Sequence, residues 1–370
     1  MTGAADRGTD LGAWGWDDRW AALWDDAGDA TGGLLPARVD AQHRGRWRLA
    51  TGAGGDVSAT VSGRLRDAAE PGALPAVGDW VAYHPTHRGD GVIGLVLPRR
   101  TAFLRRAPGS AIAAQTIAAN VDTILISTAI ELDLNPRRLE RYVAMAHESG
   151  AEPVVVLTKA DLVDAGAAAS IADRLATELF VSVVALSSLS GEGLDALAPW
   201  LRPGRTLALV GSSGVGKSTL LNRLAGGERM ATGGIRADDG KGRHTTTHRE
   251  LFRLPSGALL LDTPGMRELG MWDAGEGLDE TFADLAALAA ACRFSDCAHE
   301  REPGCAILAA VSSGALAEAR VASWRRLGTE SASLPSYAER RQAGRAFSKK
   351  VRSVTAERMA SKGYREGGRP

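Results

Sequence analysis

The chain has 370 residues, of which 44% are apolar and 24% charged, and its formal net charge is zero. That length exceeds one ordinary core, so two or three domains are expected, and the composition is that of a globular chain. No apolar run approaches the roughly 18 residues of a membrane span, and the small, acidic start MTGAADRGTD is unlike a secretory signal, so a cytoplasmic protein with no membrane partner is expected.

Zero net charge conceals segregation. Asp6, Asp10, Asp17, Asp18, Asp25, Asp26 and Asp29 outnumber Arg7 and Arg19 near the start, whereas the end is strongly basic. Cys292, Cys297 and Cys305 are the only cysteines and fall in one short segment, which points to metal before disulfide.

Residues 1–36 read as an acidic extension. Within it Trp16, Trp20 and Trp24 share one face of a short helix, a pattern that fits docking on the protein's own surface. From 37 to 108 the chain breaks into short β-like runs, RWRLAT, DVSATVSGRL, GDWVAYH and GVIGLVLP, which predict a small OB-like barrel. Arg38, Arg44, Arg46, Arg48, Arg64, Arg66, Arg99, Arg100, Arg105 and Arg106 accompany it, interleaved with Trp47, Trp80 and Phe103. Cations beside aromatics on a small barrel suit an RNA backbone and unstacked bases. The alternative is a solvated barrel whose aromatics are core.

Residues 109–273 alternate strand and helix signals and predict a mostly parallel α/β sheet with helices on both faces. VDTILIS reads as a buried strand, NPRRLERYVAMAHESG as a helix with Pro136 in its first turn and Gly150 at its end, and PVVVLTKADL as a second strand. The rhythm continues through IADRLATEL, VSVVALSS and LDALAPWL. The strand TLALV then meets the run Gly211, Ser212, Ser213, Gly214, Val215, Gly216, Lys217, Ser218 and Thr219, followed by LLNRLAG. Strand, glycine-rich turn and helix start form a phosphate loop. The glycines permit positive φ, so backbone N–H groups can face a β-phosphate, Lys217 adds a charge between β- and γ-phosphates, and Ser218 can ligate Mg²⁺.

Two segments select the base. Thr158, Lys159, Ala160 and Asp161 lie at the carboxyl end of a strand, where α/β sheets bind ligands. Guanine offers two parallel donors that the Asp161 carboxylate can accept together, whereas adenine would leave it unpaired, a difference of ~1.5–3 kcal/mol. Lys159 can lay its stem across the base, and the turn at Ser187 and Ser188 can offer backbone N–H to guanine O6. After the loop, 227–247 is Gly-rich and polar and ends in GKGRHTTT, which reads as a switch closing on Mg²⁺ and γ-phosphate. HRELFRL and ALLLDTPG follow as a hairpin, with Asp262 placed to hold Mg²⁺ through water and the Gly265 N–H to sense the γ-phosphate.

TKAD, SSLSG, GSSGVGKST, GRHTTT and DTPG resemble the five GTPase motifs, with the base-recognition pair placed before the phosphate loop, the order of the circularly permuted GTPases. Rearranging the order leaves a sheet intact because chain ends lie at the surface. Residues 274–334 then carry Cys292, Cys297, His299 and Cys305, whose three thiolates and one imidazole match a closed, structural Zn²⁺ site in a mainly helical domain. The tail, 335–370, holds Arg340, Arg341, Arg345, Lys349, Lys350 and further cations, the signature of an RNA-binding arm.

Barrel, permuted GTPase and Cys-Cys-His-Cys domain in this order resemble the bacterial ribosome small-subunit-dependent GTPase A family, from about 37 to 350. The resemblance implies a GTPase, acting as a monomer, that binds the small ribosomal subunit and its rRNA late in maturation and leaves on hydrolysing GTP to GDP, stimulated by that subunit. Familiar GTPases orient the attacking water with Gln just after this last motif; here Met266 stands there, so intrinsic turnover should be slow. His244 is the candidate catalytic group, and Thr246, or its neighbours Thr245 and Thr247, the switch ligand to Mg²⁺. Thr158 replaces the more usual Asn and has a single hydroxyl with which to tie the base loop to the phosphate loop. The competing readings are a P-loop ATPase or small-molecule kinase, a non-catalytic nucleotide-retaining RNA-binding scaffold, and a permuted GTPase of the large subunit.

Overall fold

Asp17 starts the first helix, α1 (Asp18–Asp26), by accepting the Trp20 N–H at 3.0 Å, a side-chain cap that satisfies one orphan donor of the first turn. The helix, with Trp16 just before its cap, then lays tryptophans on the barrel, as the sequence suggested. Trp16 meets Trp80 edge-on at 4.8 Å between centroids, Trp20 lies 6.0 Å from the same ring, and Trp24 packs against Trp16 at 6.2 Å. Arg100 stacks 4.2 Å above Trp20 and donates to Asp17 at 2.8 Å. Burial works against the Asp17 charge, but Arg100 and the Trp20 N–H outweigh it and hold that carboxyl below its ordinary value. The computed structural model describes residues 11–331 apart from 44, 53–54, 70–71, 88, 107–113, 132, 228–248, 263–277, 279–280 and 295.

Five strands close the barrel: β1 (Leu35–His43), β2 (Arg46–Thr51), β3 (Asp56–Val61), β4 (Trp80–Pro85) and β5 (Gly91–Val96). They run β1-β2-β3-β5-β4 and back to β1, with β3 and β5 parallel and a short helix, α2 (Gly63–Ala68), between β3 and β4. That is the OB order. Its core is Val39, Leu49, Ala59, Val61, Val81 and Ile93, each side chain contributing about 1.5–3 kcal/mol of burial for the larger aliphatics.

The barrel corrects one expectation. Trp47, Trp80 and Phe103 are buried, at 5%, 0% and 2% exposure, and the Trp47 indole donates to the Pro75 carbonyl at 2.8 Å. They are core and offer no stacking face to an RNA base. Several arginines are equally committed: Arg99 chelates Asp79 at 2.8 and 2.7 Å, while Arg38 is buried and donates to Gly78 O, Asn120 O and Thr206 Oγ1, with a further bond to Trp14 O. Arg38 thus pins extension, barrel and α/β sheet together, and burial pulls its pKa down to about 10. Arg46, Arg64 and Arg66 stay at the surface, whereas Arg44 and the side chains of Arg105 and Arg106 lie outside the described residues.

A hairpin, β6 (Ala102–Arg106) and β7 (Ala114–Ala119), leads into the α/β sheet. Its strands are β8 (Thr123–Ala129), β9 (Glu152–Thr158), β10 (Ser182–Ala185), β11 (Thr206–Gly211), β12 (Arg249–Arg253) and β13 (Leu259–Asp262), ordered β10-β9-β8-β11-β13-β12. All pair in parallel except β12, which forms an antiparallel hairpin with β13. One face packs Ile124, Ile126, Val155 and Leu157 under α3 (Pro136–Ser149) and α4 (Ala165–Leu179); the other packs Leu125, Val154 and Val156 with Leu220 and Leu221 of α5 (Lys217–Ala225). Asn135 caps α3, Pro136 opens it and Gly150, at φ 82°, closes it. LDALAPWL does not become a helix: it makes one 3₁₀ turn, Leu194–Leu197, and Pro199 follows, where no N–H is available to continue a ladder.

The two sheets are one. β12 pairs with β1 as well as β13, so a continuous eleven-stranded sheet runs from β10 into the barrel. The last helices among the described residues, α6 (Ala283–Ala290), α7 (Ala306–Ser312) and α8 (Glu318–Ser331), bury Leu278, Phe282, Leu285, Ile307, Leu316, Val321 and Leu327. Arg320 fastens them to α3: it bonds Asp284 at 2.8 Å and the Thr281 carbonyl, and reaches Glu140, 2% exposed, at 3.1 Å. Among the described residues no helix is long and apolar enough to cross a membrane.

Candidate active site and metal centre

The carboxyl ends of β10, β9, β8, β11 and β13 lie side by side, and segments singled out in the sequence emerge from four of them, all but β8. Gly211, Gly214 and Gly216 take φ values of 137°, 80° and 96°, all in the region that favours glycine. At Gly211 a Cβ would stand 2.1 Å from the Ser127 carbonyl, so only glycine lets the loop leave β11 against β8. Lys217 begins α5, is 9% exposed, and donates to the Gly211 carbonyl at 2.8 Å and to the Ser212 carbonyl. Ser218 and Thr219 follow in the first turn, where unpaired backbone N–H groups and the helix dipole favour an anion. Ser212 and Ser213 lie on the loop and Val215 beneath it, buried.

Thr158, at the end of β9, decides how the base segment meets this loop. Its hydroxyl lies 2.5 Å from the Val215 carbonyl and 3.1 Å from the Thr128 carbonyl, and its single proton serves the shorter contact. One hydroxyl therefore ties the base segment to the phosphate loop. Lys159 follows in the left-handed region, at φ 59°, and Ala160 N–H donates to the Leu186 carbonyl at 3.1 Å, which joins this segment to the Ser187 turn. Asp161 is exposed in the 3₁₀ turn that follows. In the neighbouring turn Gly191 N–H donates to Ser187 O, Ser190 N–H to Ser187 Oγ, and the buried Ser188 hydroxyl has no protein partner among the described residues. Asp262 ends β13, directly opposite Glu250 of β12. His244, Thr245, Thr246, Thr247, Gly265 and Met266 lie outside the described residues. Sequence reasoning missed Thr128 and Leu186, because each acts through its backbone carbonyl from another part of the chain.

At the other end, Cys292, Cys297, His299 and Cys305 bring their ligand atoms within 4.8 Å of one another. In a tetrahedron with metal–sulfur bonds of about 2.3 Å and metal–nitrogen of about 2.0 Å, neighbouring donors stand about 3.8 Å (S···S) or 3.5 Å (S···N) apart. Here Cys292 Sγ and Cys305 Sγ are 3.9 Å apart, and His299 Nδ1 is 3.4 and 3.5 Å from them. The donor set fits one closed, four-coordinate ion. Desolvation and the Cys305 and Cys292 sulfurs push the Cys297 thiol up to about 11, whereas at Cys292 desolvation is outweighed by backbone donors and the other two sulfurs, which hold that thiol below its ordinary value. Trp324, 5.5 Å from the imidazole, and Arg325, which donates to the His299 carbonyl, brace it from α8.

Residues 96–272 match the RsgA GTPase family. A protein of Opitutus terrae named small ribosomal subunit biogenesis GTPase RsgA is 50% identical over 342 residues, 90% of this chain and 91% of that one. The chain belongs to the RsgA GTPase family. Among solved structures, YjeQ of Thermotoga maritima superposes with a TM-score of 0.61 at 26% identity, over 82% of this chain and all of that one. YloQ, described as a circularly permuted GTPase, does so with a TM-score of 0.58 over 82% of this chain and 97% of its own, at 22% identity, which speaks for the fold. The RsgA members share the GTPase activity that the base and phosphate segments lead one to expect, and the permuted order is the one seen here, with β9 and β10 preceding β11.

Proposed function

We propose that this chain assists late maturation of the small ribosomal subunit in the cytoplasm, binding the subunit's rRNA as a monomer and leaving when GTP is hydrolysed to GDP. The single observation that supports the nucleotide reading is the Thr158 hydroxyl on the Val215 carbonyl, which joins the segment of Asp161 to the loop of Lys217, as one guanine nucleotide reaching both would require. The loop N–H groups, α5 and Lys217 stabilise charge on the transferring phosphoryl group, while Ser218, Asp262 and Thr246 hold Mg²⁺ and Gly265 senses the γ-phosphate. Mg²⁺, when bound, neutralises charge between the β- and γ-phosphates. His244 orients the water in place of the Gln whose position Met266 occupies. Cys292, Cys297, His299 and Cys305 hold one structural Zn²⁺, supported by their tetrahedral spacing.

With the barrel aromatics buried, RNA contact falls to the exposed barrel arginines and to the basic tail beyond 335. We place the boundaries of extension, barrel, GTPase, zinc region and tail near 36, 108, 273 and 334. GTP hydrolysis measured alone and with small subunits, large subunits or free RNA tests the reading. Stimulation by small subunits is expected; equal turnover in all four, or stimulation by large subunits alone, would overturn it.

A further inference from the structure

The barrel and the α/β sheet touch through a joint whose position is unusual. β12 follows the switch segment in the chain, and its first two residues carry the strand pairing that joins the two: Arg249 lies opposite Gln42 and Glu250 opposite Ala41 of β1. On its other side Glu250 lies opposite Asp262, the carboxylate expected beside Mg²⁺. Directly opposed residues on antiparallel strands present their side chains to one face, so like charges there repel and a cation on either one eases the pair. The barrel supplies a cation to Glu250 from the side away from Asp262: Arg48 of β2, reaching past β1, donates to Glu250 Oε1 at 2.6 Å. Arg48 is itself positioned by Asp40 at 2.8 Å, a carboxylate only 2% exposed, and by Asp56 at 3.7 Å. Its guanidinium therefore belongs to the barrel and reaches across to the switch strand.

We infer that the Arg48–Glu250 pair is the element through which the barrel's position is passed to the phosphate site, Arg48 and Glu250 being positioning residues for subunit-stimulated turnover. The inference rests on the proposed function, since it presumes stimulation by the small subunit. A barrel held by RNA fixes β1 and β2, and these fix Glu250, whose strand in turn pairs with Asp262 of β13. Neither residue belongs to the base, phosphate or Mg²⁺ segments, so turnover without the subunit should not depend on the pair.

The test compares wild type with Glu250→Gln, which keeps shape and removes the charge, Glu250→Ala, and Arg48→Lys, which leaves a cation for the buried Asp40. GTP turnover is measured alone and across a titration of purified small subunits. The expected result is turnover alone within about twofold of wild type, half-saturation by subunits unchanged, and a maximal stimulated rate at least about fivefold lower in both Glu250 variants, the lower end of allosteric couplings. Arg48→Lys should retain more stimulation than Glu250→Ala. Full stimulation in both Glu250 variants would overturn the inference, as would a proportional loss of turnover with and without subunits, which marks a merely structural role. If wild type itself is not stimulated, the proposed function fails first, and that outcome is distinct from either.

Discussion

Replacing Thr158 by Val removes one hydroxyl and almost no volume. Thr158 and Val215 are each 1% exposed, so the Val215 carbonyl loses its partner in a place water does not reach. A net hydrogen bond contributes about 1 kcal/mol and an orphaned buried acceptor costs about 1–3 kcal/mol. Relaxation brings the figure toward the low end here, because Val215 sits between Gly214 and Gly216, both at positive φ, and Gly214 faces solvent. A loss of about 1–2 kcal/mol follows, and if it is expressed as a phosphate loop no longer fixed against β9, GTP affinity falls about 5- to 30-fold. Titration calorimetry with GTP and Mg²⁺, beside thermal unfolding of the nucleotide-free protein, separates binding from stability. Thr158→Asn, with two amide donors, should bind at least as tightly as wild type. If Thr158→Val bound GTP within twofold of wild type and melted at the same temperature, the tie between base segment and phosphate loop would have no energetic weight.

His244→Ala should abolish subunit-stimulated turnover with GTP affinity intact, checked by single-turnover hydrolysis beside nucleotide titration. Chelation, or Cys305→Ser, should remove one metal ion per chain by atomic absorption and lower the cooperativity of unfolding, because Leu285, Ile307 and Leu316 pack around Cys305. Arg320→Gln should cost about 2–3 kcal/mol in denaturant unfolding: it leaves buried Glu140 with one guanidinium, Arg137, in place of two. Asp40 gives a pH signature. Burial, working against the pull of Arg48, raises its pKa from 3.8 to about 6. The folded state then binds more protons than the unfolded one between those values, so this group's contribution to stability falls as pH rises from about 4 to about 6 and levels off above. The difference in unfolding free energy between wild type and Asp40→Asn should trace that decline; a flat difference from pH 4 to 7 would contradict it.

Much of the site was legible because its chemistry is local. The positive φ at Gly211, Gly214 and Gly216, the helix opening at Lys217 and the convergence of Cys292, Cys297, His299 and Cys305 each follow from residues a few positions apart. β1 was not legible. It buries Arg38 and Asp40 in a run that periodicity reads as half solvated, because their partners, Thr206 and Arg48, come from distant or neighbouring strands. The barrel aromatics were misread for a related reason: alternation says that Trp47 and Trp80 share a face with other apolar residues, but not whether the barrel interior or the α1 tryptophans cover it. Nor could spacing reveal that Glu250 would sit between two strands of different lobes.

The sheet that passes without a break from β10 to the barrel also governs how the molecule can be dissected. Cutting the chain between barrel and α/β portion would strip β1 from β12 and uncover the row of main-chain donors and acceptors on that strand's outer rim, a template for pairing with another copy. Fragments lacking the barrel should therefore self-associate, and their nucleotide turnover would report on that aggregation as much as on the catalytic unit in isolation.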